Sequence, residues 1–179
     1  MAKGDRQVNR KKCLVIAPIG EEGSKTRIRS DQILTHVLRS VLTKFGFDAI
    51  RADEIAEPGI ISTQILERIV NDPLVIADLS EKNPNVYYEL AVRHATRKPI
   101  IQLIQKGELL PFDVAGTRTI AFDHKDLDGV DDVKKQLARF IENAENASLD
   151  GHDSPISLAL DLQSLRESSD PQKASLADV

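Results

Sequence analysis

The sequence is poor in the residues on which several common classes of protein depend. Its 179 residues include one cysteine, Cys13. That excludes an internal disulfide framework and a multi-cysteine zinc site, and it suits a reducing compartment. Tryptophan is absent and aromatic residues make up only 4%, too few for a platform that stacks nucleic-acid bases. Basic charge is not in excess either: 24 Lys and Arg stand against 28 Asp and Glu, a formal net charge of −4. A protein that grips a phosphate backbone needs the opposite balance. No apolar run approaches the ~18 residues of a membrane span. The nearest approach to a secretion signal, Lys11-Lys12 followed by Cys13 to Ile19, is interrupted by Pro18 and lacks a small-residue cleavage site. The histidines, His36, His94, His124 and His152, never fall at the close spacings of a zinc site. No metal and no cofactor is therefore expected, and the chain reads as a cytoplasmic protein that binds neither nucleic acid nor membrane.

What is present is an alternation of short apolar runs and helical periods. Cys13-Leu14-Val15-Ile16-Ala17 and Leu74-Val75-Ile76-Ala77 are strands buried on both faces, the second ending at Asp78. Phe47 to Arg51, Pro99 to Ile104 and Arg118 to Phe122 supply three more strands. Helical spacing recurs over Ile28 to Leu42, Ile60 to Val70, Asn83 to Arg97 and Val130 to Asn143. Five strands alternating with helices predict a flavodoxin-like three-layer α/β/α fold, its five-stranded parallel sheet ordered 2-1-3-4-5. Ligands of such sheets bind beyond the carboxyl ends of the strands, near the switch between the first and third. We divide the chain into a loose segment 1–12, an α/β domain 13–146, and a polar tail or connector 147–179 with an apolar segment 156–165. Ser175 to Val179 reads as the start of a further helix, which favours a connector over a docked segment.

Two loops fall where chemistry is expected. The first, Pro18-Ile19-Gly20-Glu21-Glu22-Gly23-Ser24-Lys25-Thr26-Arg27, is not a phosphate-binding P-loop. Only two residues separate its glycines, and Ser24 precedes Lys25. It remains a glycine turn leading into a helix, with Arg27 and Arg29 able to meet a phosphate or a ribose hydroxyl. The second loop, Asp78 to Asn85, joins the central strand to a helix that Asn83 caps and Pro84 begins. Glu89 falls in the second turn, with Asn85 one turn before and Arg93 one turn after. Tyr87, Leu90, Ala91 and His94 form the expected buried stripe, leaving Glu89 at its edge. The plainer reading of Glu89 is an exposed pair with Arg93, worth ~0.3–0.5 kcal/mol.

Val75-Ile76-Ala77-Asp78-Leu79, followed by Asn83-Pro84-Asn85-Val86-Tyr87-Tyr88-Glu89-Leu90 and preceded by Ala17-Pro18-Ile19-Gly20 and Arg51-Ala52-Asp53-Glu54-Ile55, resembles the nucleoside 2-deoxyribosyltransferase-like superfamily. The similarity spans roughly Cys13 to Ile104, and the Asn-Pro-Asn-Val-Tyr-Tyr-Glu-Leu string is its most specific part. The resemblance implies cleavage or transfer at the N-glycosidic bond of a nucleotide or nucleoside, with Glu89 attacking the anomeric carbon and Asp78 assisting. It also implies a substrate site drawn from Pro18, Ile19, Gly20, Arg27, Arg29, Asp53, Gly59, Asn83, Asn85 and Tyr88. The transferases have an acid where this chain has Asn83, and an amide cannot protonate a departing base. Pro58-Gly59-Ile60-Ile61 is similar to a loop of Toll/interleukin-receptor domains that cleave NAD. An NAD hydrolase of bacterial defence, or a nucleotide-sensing module without turnover, is the alternative. Superfamily enzymes commonly complete their pockets with a neighbouring subunit; Tyr88 and the 156–165 segment suit such contacts, so a homo-oligomer is expected.

Overall fold

The computed structural model describes residues 10–55, 60–146 and 154–167. Its sheet consists of β1 (Lys11–Ile16), β2 (Phe47–Arg51), β3 (Leu74–Asp78), β4 (Ile100–Gln105) and β5 (Thr119–Phe122). All neighbours are parallel and the order is β2-β1-β3-β4-β5, as the alternation predicts. β1 starts at Lys11, inside the segment read as loose, where Lys11 pairs with Phe47 of β2.

Alternation along each strand divides the core in two. Cys13, Val15, Leu74 and Ile76 face one way and pack with Ile33, Val37, Leu38 and Leu42, and with Val133, Leu137 and Ile141. Leu14, Ile16, Val75 and Ala77 face the other way, against Ile69, Val86 and Leu90. Both faces are covered, so β1 and β3 must be apolar at consecutive positions. Each fully buried Leu or Ile contributes roughly 1.5–3 kcal/mol.

The first core face is covered by one helical run, α1 (Lys25–Gln32), a π segment (Ile33–Leu38) and α2 (Arg39–Leu42), together with α5 (Leu127–Asn146). The second is covered by α3 (Ile61–Asn71) and α4 (Pro84–Ala95). The inward face of α3 is only partly buried, and that of α4 differs from the expected stripe. In α3 only Ile69 is fully buried, with Ile65 and Leu66 half-buried and Ile61 exposed. In α4 the buried residues are Val86, Leu90, Arg93 and His94, while Tyr87 and Ala91 are half-buried. Arg93 goes inward because its guanidinium closes three main-chain ends: it donates to the carbonyls of Ile69 and Asp72 at 2.6 and 2.9 Å and of Pro99 at 2.9 Å.

The apolar segment of the tail forms α6 (Pro155–Arg166) and lies against α4. Ser154 Oγ donates to the His94 carbonyl at 3.1 Å, and Arg97 reaches the Ser157 carbonyl and the Asp161 carboxylate. Leu158, Leu160 and Leu162 remain exposed on α6. The rest of the tail lies outside the described residues. Among the described residues no helix is long and apolar enough to cross a membrane.

Candidate active site

The site is built on the loop between β3 and α4. Asp78 ends β3 buried, and all its hydrogen bonds come from close by in space. Arg29 Nη1 donates to Oδ2 at 2.7 Å and Nη2 to Oδ1 at 3.3 Å. The Ser80 amide and hydroxyl donate to Oδ1 at 3.2 and 2.6 Å. Ser80 Oγ in turn accepts from Arg29 Nη2 at 2.7 Å and from the Gln105 amide at 2.8 Å. Arg29 Nε completes the knot on Gln105 Oε1 at 3.3 Å. Arg29 was expected to meet substrate; it is buried and committed to Asp78 and Ser80.

This knot holds a strained turn. Glu81 and Lys82 both adopt left-handed backbone, with φ of 60° and 49°, conformations that cost about 1–3 kcal/mol each in residues with a Cβ. Side chains from two other elements hold Glu81 in place. Thr26 Oγ1 of α1 donates to its carboxylate at 2.7 Å, and its own amide donates to the Glu108 carboxylate at 2.8 Å. The chain then enters α4 through Asn83, whose Oδ1 accepts from the Asn85 amide at 3.0 Å, with Pro84 in the first turn. Asn83 thus spends its side-chain oxygen as a cap. Tyr87 Oη donates to the Leu79 carbonyl at 3.3 Å and ties the first turns of α4 to the same loop.

Glu89 contrasts with all of this. It is half-buried, and among the described residues no hydrogen bond or ion pair reaches its carboxylate. It stands three residues after Val86 and four before Arg93 on α4. The expected pair with Arg93 does not form, because the Arg93 guanidinium is occupied by the three carbonyls. Burial without compensation pushes the Glu89 carboxyl up to about 7.

The β1–α1 loop turns at Gly20, where φ is +69° and a Cβ would lie 2.7 Å from Ser24 Oγ and 2.8 Å from Thr26 Cβ. Ser24 Oγ accepts from the Arg27 amide at 3.1 Å and caps α1. Pro18 is buried, Ile19 half-buried and Gly20 exposed at this rim. Arg27 is joined to Asp31 and Asp53 at 3.0 Å each, and Asp53 also binds Arg51 at 2.6 Å. The Arg51 hydrogen bond holds the Asp53 carboxyl below its ordinary range. Asn85 and Tyr88 are exposed on α4, and Gly59 lies outside the described residues. The structure therefore joins Asp78 to Arg29 and Arg27 to Asp53, and leaves Glu89 apart from both pairs. Ser80, Glu81 and Gln105 are parts of the site that the sequence reading missed. Only Ser80 carried a local signal, being two residues beyond an Asp at a strand end. Among the described residues no cluster of three or more His, Cys, Asp or Glu is placed to hold a metal ion.

No family model matches the sequence, and no curated protein is significantly similar to it. Solved structures are. A CMP N-glycosidase of Clostridium botulinum superposes with a TM-score of 0.52 at 16% identity, covering 70% of this chain and 99% of its own. A 2-deoxyribosyltransferase of Leishmania mexicana matches with a TM-score of 0.48 at 12% identity, over 77% of this chain and 99% of its own. The likeness to the glycosidase is one of fold, and that fold is the one implied by the Asn83-to-Leu90 resemblance.

Proposed function

We propose that this protein cleaves or transfers at the N-glycosidic bond of a nucleotide or nucleoside, with Glu89 as the nucleophile. The observation that carries the reading is the Glu89 carboxylate: half-buried, on the helix that follows the central strand, and without a counter-charge among the described residues. Departure of a base builds positive charge at the anomeric carbon, and a desolvated carboxylate is suited to stabilise or capture it. A carboxylate oxygen bonds to C1′ as the C1′–N bond breaks and its electron pair leaves with the base. Water, or a second base, then displaces Glu89. The fold shared with an N-glycosidase supports the reading. Asp78, Arg29 and Ser80 set the loop from which α4 starts, and Asp78 acts through that loop. Subunit association through Tyr88 and α6 belongs to the same proposal.

A second reading draws on a specific observation. Asp78 is saturated with hydrogen bonds and Asn83 is spent as a cap, so a module that binds nucleotides without cleaving them also fits. Incubating the purified chain with nucleosides, nucleotides and NAD, and assaying free base by chromatography, separates the two. Base release that disappears in Glu89→Gln supports the enzyme. Saturable binding with no release from any compound supports the sensing module.

A further inference from the structure

The first core face carries a groove apart from Glu89. It lies between the start of α1 and the segment joining β5 to α5, whereas Glu89 stands on α4, which covers the other face of the sheet. One half is a cavity of about 430 Å³ lined by Lys25, Ile28, Arg29, Glu81, His124 and Lys125. The other half, of about 420 Å³, shares Gln32, His124 and Lys125 with it. Its walls are chiefly apolar: Ile33 and Val37 come from the π segment and Leu127 and Val130 from α5, with His36 among them. Small-molecule sites occupy ~300–1,000 Å³ and combine apolar walls with a few polar groups. A π segment within a helical run is itself frequent at functional sites.

Hydrogen-bonding capacity in the first half is one-sided. The acids around it are engaged: Asp78 with Arg29 and Ser80, Glu81 with Thr26 Oγ1 at 2.7 Å, and Asp123 with the Lys125 amide at 3.0 Å. His124 Nδ1 donates to Gln105 Oε1 at 3.3 Å, since that oxygen can only accept. Lys25 and Lys125 are exposed, and among the described residues no carboxylate comes within ion-pair distance of either ammonium. Lys25 also opens α1, whose first turn contains no acid, so its charge sits at the helix end that disfavours cations. The first half therefore has ammonium donors to offer, and the second half has apolar wall.

We propose that this groove binds a phosphate monoester that carries a ring, with the phosphate between Lys25 and Lys125 and the ring against the apolar walls. The site is independent of Glu89 and of the glycosidic chemistry. A phosphate monoester is close to dianionic at pH 7 and presents three acceptor oxygens. Two ammonium groups match it both in charge and in donors. The bound anion also relieves the unfavourable placement of Lys25 at the start of α1. A ring against Leu127 and Val130 removes apolar surface from water, a contribution that inorganic phosphate cannot obtain.

The test reads the groove through His124, which borders both halves. Burial, with Arg29 and Lys125 nearby and against the pull of Asp123 and Asp78, holds its imidazole below the ordinary value in the free protein. Full-length protein labelled at histidine rings is titrated with AMP, phenyl phosphate, adenosine and inorganic phosphate and followed by NMR, with His124→Asn supplying the assignment. Glu89→Gln is titrated beside the parent, so that binding is separated from turnover. AMP and phenyl phosphate should move the His124 resonance saturably and raise its midpoint, because a bound anion favours the imidazolium. Adenosine should leave it in place, and inorganic phosphate should bind about tenfold more weakly or worse. Lys25→Gln/Lys125→Gln should weaken AMP binding by about tenfold or more. Lys44→Gln/Lys135→Gln removes the same charge elsewhere and should not. An unmoved His124, an equal response to adenosine, or equal affinity in Lys25→Gln/Lys125→Gln overturns the proposal. A response lost in Glu89→Gln overturns it as well, since the ligand would then belong with Glu89. The proposed function is tested separately by base release and does not depend on any of these results.

Discussion

Asp78 and Glu89 are two carboxylates separated by one loop and the first turns of α4, and the fold treats them in opposite ways. Asp78 is buried and fully paired; Glu89 is less buried and has no partner among the described residues. Desolvating a charge is tolerable when hydrogen bonds and a counter-ion replace the lost water. The first region meets that condition with Arg29, Ser80 and Gln105. The second does not: among the described residues no cation or hydrogen bond offsets the burial of Glu89. Pairing marks the region that holds the loop in shape, and the missing pair marks the carboxylate proposed to react.

The comparison can be broken most forcefully at Glu89 itself. Glu89→Gln keeps the size of the side chain and removes only its charge, so base release should fall by roughly a thousandfold or more with the circular-dichroism spectrum unchanged. Equal turnover in variant and parent would show that the unpaired carboxylate is not the reacting group.

The next effect in size belongs to Asp78's region and falls on stability. Arg29→Met leaves a buried carboxylate without its counter-ion and should cost about 3–5 kcal/mol in urea unfolding. A loss below ~1 kcal/mol, the value of a surface pair, would mean that the knot is solvated and the contrast with Glu89 is overstated.

A smaller loss is expected where the loop enters α4. Asn83→Ala removes the cap and should cost about 0.5–2 kcal/mol. Base release should survive it better than it survives Asp78→Asn, which disturbs Arg29 and Ser80 together. If Asn83→Ala stops release at unchanged thermal stability, the amide contacts substrate in addition to capping the helix.

The smallest effect is a slope. The folded protein holds the Glu89 proton up to about 7 against an ordinary value of 4.5. Its favourable contribution to folding is therefore complete below about 4.5 and lost as the pH rises through about 7. Glu89→Gln should then raise the melting temperature relative to the parent at pH 8 more than at pH 4. Catalysis has the opposite sign: a nucleophile must be ionised, so release should increase through the same window. Parallel melting curves across the window would remove the evidence that burial disfavours the charge.

Much of this architecture was legible in the sequence. Strands covered on both faces have to be continuous apolar runs, and β1 and β3 showed it; β2 was placed at its observed bounds. The cap at Asn83 and Pro84 was also readable, because it depends on two adjacent residues. What escaped was pairing over distance. Arg29 and Asp78 are 49 residues apart, and nothing in either segment announces the other. Arg93 fits the period of an exposed i,i+4 pair with Glu89, and only the chain ends at Ile69, Asp72 and Pro99, brought together by the fold, draw it inward. The strain at Glu81 and Lys82 escaped for the same reason, since neither residue type favours left-handed backbone and the contacts from Thr26 and Glu108 are tertiary.

The claim that the fold leaves Glu89 unmatched is tested most directly by titrating its carboxyl carbon by NMR in protein labelled at glutamate side chains, with Glu89→Gln supplying the assignment. The account predicts a Glu89 midpoint near 7 in the free protein. A midpoint in the ordinary glutamate range, near 4.5, would contradict it.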